Sequence, residues 1–160
     1  MNRSLVLWGV AFLLPILHFL LHVGFGLGAR APDLLTVGLL VLARELRTGA
    51  AAGAGFTLGL LEDAFSILAF GANAVVLTVV GILGSRSRDL FVGDSLVFLA
   101  SYLALGTWVR FALHWVVAGE EVRGDATRVL LLEAPVAGVY AAAVGMALLL
   151  VTGAWVREGG

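Results

Sequence analysis

Glu62 and Asp63 are neighbouring carboxylates set inside an apolar, glycine-spaced stretch, Gly55–Ala74. An ionised side chain is expensive in such surroundings, so each acid needs a partner or a task. On a helix advancing about 100° per residue, Gly55, Gly59, Glu62 and Ser66 fall in one narrow stripe with Asp63 at its edge. The acids and the small residues therefore share a face on which another helix can pack. A planar guanidinium satisfies a carboxylate through two parallel hydrogen bonds, and Arg110 paired with Asp63 or Glu62 is the arrangement expected first. The acid left over, or Glu133, is then available to hydrogen-bond a histidine. This group reads as a structural lock, with a substrate or partner site as the other reading.

Other chemistries find less to work with. Hydrolysis within a membrane at Asp63 lacks a second acid motif. His18 and His22 stand one helical turn apart and His114 lies one turn beyond Arg110, but each is expected to be satisfied locally, and no metal site is expected. The chain has no cysteine, which excludes a disulfide framework, a thiol nucleophile and a thiolate metal site. It contains no phosphate-cradling glycine loop, no Gly-x-Ser-x-Gly and no His-Glu-x-x-His. The reading is therefore a protein without catalysis and without a cofactor. All ten cationic side chains are arginines, scattered along the chain rather than gathered in a patch, so nucleic acid is not a partner.

The elements that must position these groups follow from hydropathy. With 61% hydrophobic residues, 13% charged residues and a mean hydropathy of +1.04, the 160-residue chain is too apolar for an ordinary soluble domain. The expected fold is an all-α integral membrane protein, a single domain of six transmembrane helices in one bundle, at about 5–23, 32–46, 50–65, 71–84, 90–117 and 126–151. The first segment follows Arg3 but has no small-residue cleavage site after it, so it is expected to be a permanent helix rather than a signal peptide. Pro32 is expected in the first turn of the second, where its missing amide costs nothing. Segments two to four are short, and fifteen residues span only about 22 Å at about 1.5 Å per residue, so they must be tilted or shielded by neighbours. Four spans would bury Arg44-Glu45-Leu46-Arg47 in lipid, which favours six.

Arginine placement gives the orientation. With both termini inside, the inner side carries Arg3, Arg44, Arg47, Arg86, Arg88 and Arg157, and the outer side Arg30, Arg123 and Arg128, the last two offset by Glu120, Glu121 and Asp125. Counted from the segment ends, His18, His22, Glu62, Asp63, Arg110, His114 and Glu133 all fall in the outer half, where they are expected to turn inward and pair. Gly49/Gly53 and Gly55/Gly59 have the spacing of internal helix packing. Trp8, Trp108, Trp115 and Trp155 are expected as interfacial anchors.

The run Gly55-Phe56-Thr57-Leu58-Gly59-Leu60-Leu61-Glu62-Asp63-Ala64-Phe65-Ser66, followed by Gly71-Ala72-Asn73-Ala74, resembles the signature of the MreD family, the bacterial rod shape-determining protein D. Arg30-Ala31-Pro32-Asp33-Leu34-Leu35 also looks like that family's approach to its second span. The length, the number of spans, the terminal orientation and the order of segments are similar over nearly the whole chain, whereas the motif itself covers about twenty residues. Two positions depart from the pattern: Ile67 stands where the family commonly has glycine, and Glu62 where it is usually apolar. The resemblance implies a structural and interaction motif at Pro32, Asp33, Gly55, Gly59, Asp63, Ser66, Gly71 and Asn73, to which this chain adds Glu62; the intramembrane polar network of His18, Arg110, His114 and Glu133 is read from the residues themselves. The resemblance also implies a non-enzymatic scaffold in the bacterial inner membrane that binds MreC and helps couple cytoplasmic MreB filaments to peptidoglycan synthesis by RodA and a class B penicillin-binding protein, with membrane lipid around it. That family's fold is in turn similar to the substrate-binding S components of energy-coupling-factor vitamin transporters, which makes an uptake subunit the alternative.

Overall fold

Six helices, and no strand, form the regular structure of the residues described by the computed structural model, 3–26, 31–66, 70–87, 95–120 and 123–152. Arg30, Ile67, Arg88, Glu121, Trp155 and Arg157, and the start of the fifth segment before residue 95, lie outside the described residues. Helix α1 (Arg3–Phe19) runs into a π turn at Leu20–Gly24. It is followed by α2 (Leu34–Ala43), α3 (Thr48–Asp63), α4 (Ala72–Ser87), α5 (Leu96–Val117) and α6 (Ala126–Thr152). Of these, α5 and α6 are long and apolar enough to cross a membrane.

The beginnings of two helices are set by aspartates. The Asp33 carboxylate accepts from the Thr36 amide at 3.1 Å and caps α2, so Pro32 precedes the cap instead of occupying the first turn as the sequence suggested. Asp125 caps α6 in the same way, accepting from the Arg128 amide at 2.9 Å. Within α6, Pro135 has no N–H to give to the carbonyl four residues back. The preceding turn, Val129–Glu133, widens to π geometry, with the Ala134 amide reaching back to the Val129 carbonyl.

Helix α2 is the centre of the bundle. Every residue from Leu34 to Ala43 except Leu42 is buried, as expected for a helix that is apolar on all sides. Ten residues make only about 15 Å of helix, and neighbours rather than surroundings cover it. Helix α1 crosses it at Gly38, where an added Cβ would lie 3.2 Å from the Leu14 side chain, and α6 meets it where Gly145 faces Val37. The closest pair is the antiparallel hairpin of α3 and α4. A Cβ on Gly55 would strike the Leu77 carbonyl, one on Gly59 the Asn73 carbonyl and Ala74 Cα, and one on Gly81 the Ala51 carbonyl. Small residues here let two backbones touch. Gly138 does the same for α6 against α5, with a Cβ position 2.7 Å from the Ala104 carbonyl oxygen. Gly49 and Gly53 do not take part: both are exposed, and among the described residues no atom lies within 4 Å of a Cβ added at either, which corrects their assignment to internal packing.

Large apolar side chains also cover the outside, among them Leu5, Phe12, Ile16, Val97, Val136 and Val151, each at least 64% exposed. Apolar surface on that scale needs a cover other than water.

Candidate functional site

One end of the bundle collects the ionisable groups. The chain supplies His18 from the end of α1, Asp33 from the cap of α2, Glu62 and Asp63 from the last turn of α3, Asn73 from the first turn of α4, and Arg110 and His114 from α5. Two separate arrangements result.

The first is centred on Arg110, which is buried. Its Nη1 donates to Asp33 Oδ2 and its Nη2 to Glu62 Oε1, so one guanidinium ties the start of α2 to the end of α3 from a position on α5. Nη2 also lies 3.5 Å from Asn73 Oδ1 on α4. Four helices therefore meet at this side chain. The charges hold because the guanidinium fork meets each carboxylate with a hydrogen bond as well as with its charge, which offsets the cost of removing them from water.

The second belongs to Asp63, which has no exposed surface. Its Oδ1 accepts from the Asn73 amide at 3.1 Å and its Oδ2 from the Ala74 amide at 2.9 Å. These are first-turn amides of α4, with no partner inside the helix and with the positive end of the helix dipole behind them. Gly71, at φ +92°, turns the chain into that helix through a conformation that disfavours a Cβ. Ser66 contributes its amide, which donates to the Asp63 carbonyl at 2.9 Å, and its side chain is not part of the joint.

Of the two acids expected to pair with Arg110, Glu62 does so and Asp63 does not: Asp63 is spent on backbone, and Asp33 takes the second place on the guanidinium. Glu133 joins neither arrangement: it sits on the π turn of α6 and pairs with Arg128 at 2.9 Å, both side chains being largely exposed. The role of Asp33 as a partner of Arg110 was missed. The available signal was its position beside Pro32, at the same end of the chain's helices as Glu62.

The histidines are held locally. His18 Nδ1 accepts from the Leu35 amide at 3.3 Å and lies 3.8 Å from Asp33 Oδ1. His22 Nδ1 donates to the His18 carbonyl at 3.1 Å, and the two rings stack with centroids 4.0 Å apart. His114 is half-buried one turn beyond Arg110. Among the described residues, no three histidine, aspartate or glutamate side chains converge as metal ligands. Three buried oxygens, Thr36 Oγ1, Thr107 Oγ1 and Glu62 Oε2, make no hydrogen bond. The arrangement joins helices; every other carboxylate oxygen of Asp33, Glu62 and Asp63 faces a donor or the imidazole of His18. No family model, curated protein or solved structure matches the chain.

Proposed function

We propose that this chain is a membrane scaffold of the MreD type, six spans with both termini in the cytoplasm, which performs no reaction and binds an MreC-like partner in the cell-elongation complex alongside RodA, a class B penicillin-binding protein and, indirectly, MreB. The observation that carries the reading is what the signature residues do. Gly55 and Gly59 permit backbone contact, Asp63 caps α4, Gly71 supplies the positive φ, and Asn73 offers its amide to Asp63. All five are used to build one helix joint, which suits a motif that serves shape.

The orientation is supported by charge. Arg44, Arg47 and Arg86 share the end opposite Arg110, whereas Arg123 and Arg128 stand at the other end among Glu120, Asp125 and Glu133. The pairing of Arg110 with Asp33 and Glu62, which leaves Glu62 Oε2 as the one carboxylate oxygen of the joint without a donor, supports a scaffold over a vitamin-binding subunit, which would need more unpaired groups around an outward pocket.

Depletion in a rod-shaped bacterium that depends on the protein is the test. The expected result is rounding of the cells, displacement of the elongation synthase, and copurification of MreC and RodA with the chain from gently solubilised membranes. Normal rods with loss of vitamin uptake, and an ATPase pair in the purified material, would replace this reading with the transporter subunit.

A further inference from the structure

A groove of about 300 Å³ opens between α4 and α5. Leu40 of α2 forms its floor, Val80 and Leu83 one wall, and Leu105 and Val109 the other. Gly106 withholds a side chain from the floor, and a Cβ there would collide with Leu40 Cδ1. Polar groups gather at one end only, where Arg86, Ser87 and Tyr102 line the mouth. The Tyr102 hydroxyl is already used, lying 2.9 Å from the Leu40 carbonyl oxygen and 3.3 Å from that of Gly84, and the Ser87 hydroxyl donates to Gly84 at 3.1 Å. Arg86 is different. It is exposed in the last turn of α4 and makes no ion pair with a described residue.

We infer that this groove holds one acyl chain of an anionic phospholipid, with the lipid phosphate against the Arg86 guanidinium. The dimensions agree with that occupant. From Ser87 to Val80, and from Tyr102 to Val109 on the antiparallel helix, the walls run seven residues, about 10 Å at the rise of an α-helix. One leaflet contributes about 15 Å of hydrocarbon, so a chain whose headgroup sits at Arg86 lies along the groove and ends near the middle of the bilayer. A cavity of this volume is at the lower limit of those that take ligands. The charge agrees as well, because Arg44 and Arg47 share this end of the bundle and the cytoplasmic leaflet is the anionic one. A helix from a protein partner would leave Arg86 without an anion. The inference rests on the membrane orientation proposed above.

The test uses the full chain in detergent, titrated with mixed micelles of dioleoyl phosphatidylglycerol and dioleoyl phosphatidylcholine, with retained lipids counted by native mass spectrometry. One phosphatidylglycerol should be retained with about fivefold preference, the gain of a single arginine at an anionic surface. Arg86→Gln should bring the two lipids to parity and Arg86→Lys should keep most of the preference. Val109→Phe, which narrows the groove without touching the charge, should lower retention of both. Each variant should keep the helix content and elution volume of the parent. An undiminished preference in Arg86→Gln, or full retention in Val109→Phe, would overturn the lipid site while leaving the scaffold reading intact. Release of the chain from reconstituted vesicles by alkaline carbonate would overturn both.

Discussion

Arg110 is the side chain whose removal should matter most, because Asp33 and Glu62 both depend on it and both are drawn away from water. Breaking a buried pair by deleting one partner costs about 3–5 kcal/mol. Arg110→Ala should lose that much against chemical unfolding in detergent, and adding Glu62→Gln or Asp33→Asn should restore part of it. Adding Asp63→Asn should restore nothing, since Asp63 faces the amides of α4; strictly additive losses in the Arg110 and Glu62 double-mutant cycle would show that the pair contributes no coupling. Two glycines offer a second comparison at this scale. Gly71→Ala should destabilise by about 1–3 kcal/mol, because φ is +92° although the space around it is open. Gly53→Ala, in an exposed helical position with no neighbour, should stabilise the isolated chain by about 0.5–1 kcal/mol. Equal melting temperatures for these two variants would contradict the backbone argument.

The hairpin of α3 and α4 is the element pair with the least tolerance. At Gly55 and Gly59 an added side chain meets backbone of the facing helix, which cannot turn aside as a rotamer can. Gly59→Leu should therefore push the helices apart, pull Asp63 off the Asn73 and Ala74 amides, and reduce the folded fraction far below that of Leu58→Ala, which only trims a half-buried contact. Fluorescence-detected size exclusion of the two tagged variants separates them; similar monodisperse peaks would count against close packing. The exposed faces behave differently. Gly53→Leu adds bulk where nothing stands, and should leave the peak of the isolated chain unchanged.

For the molecule as a whole, the proposed arrangement makes a topological prediction that the absence of cysteine makes clean to test. In intact cells, a membrane-impermeant thiol reagent should label Ala126→Cys and leave Ser4→Cys and Ser87→Cys unlabelled until the membrane is opened. The reverse pattern would invert the molecule and carry the Arg86 mouth to the other leaflet. The exterior is apolar around the bundle, so the chain in water should aggregate, whereas in detergent or bilayer it should remain dispersed.

Which segments are helical, roughly where they stop, and which face of α3 carries its close contact were legible in the chain, because hydropathy, helical period and glycine spacing are local properties. The stripe of Gly55 and Gly59 does meet α4, and the ionisable residues of α1, α3 and α5 do share one end. What only the tertiary structure decided was the choice of partners. Asp63 lies at the edge of the stripe, and the register of the hairpin brings it beneath the free amides of α4 rather than toward α5. Asp33 reaches Arg110 because α2 is enclosed and its cap is held against α5. Glu133 turns outward on a π turn, a change of helical pitch that a uniform 100° wheel cannot anticipate, and finds Arg128 five residues before it. Counting residues measures depth along one helix; azimuth and register between helices depend on the packing of all six at once.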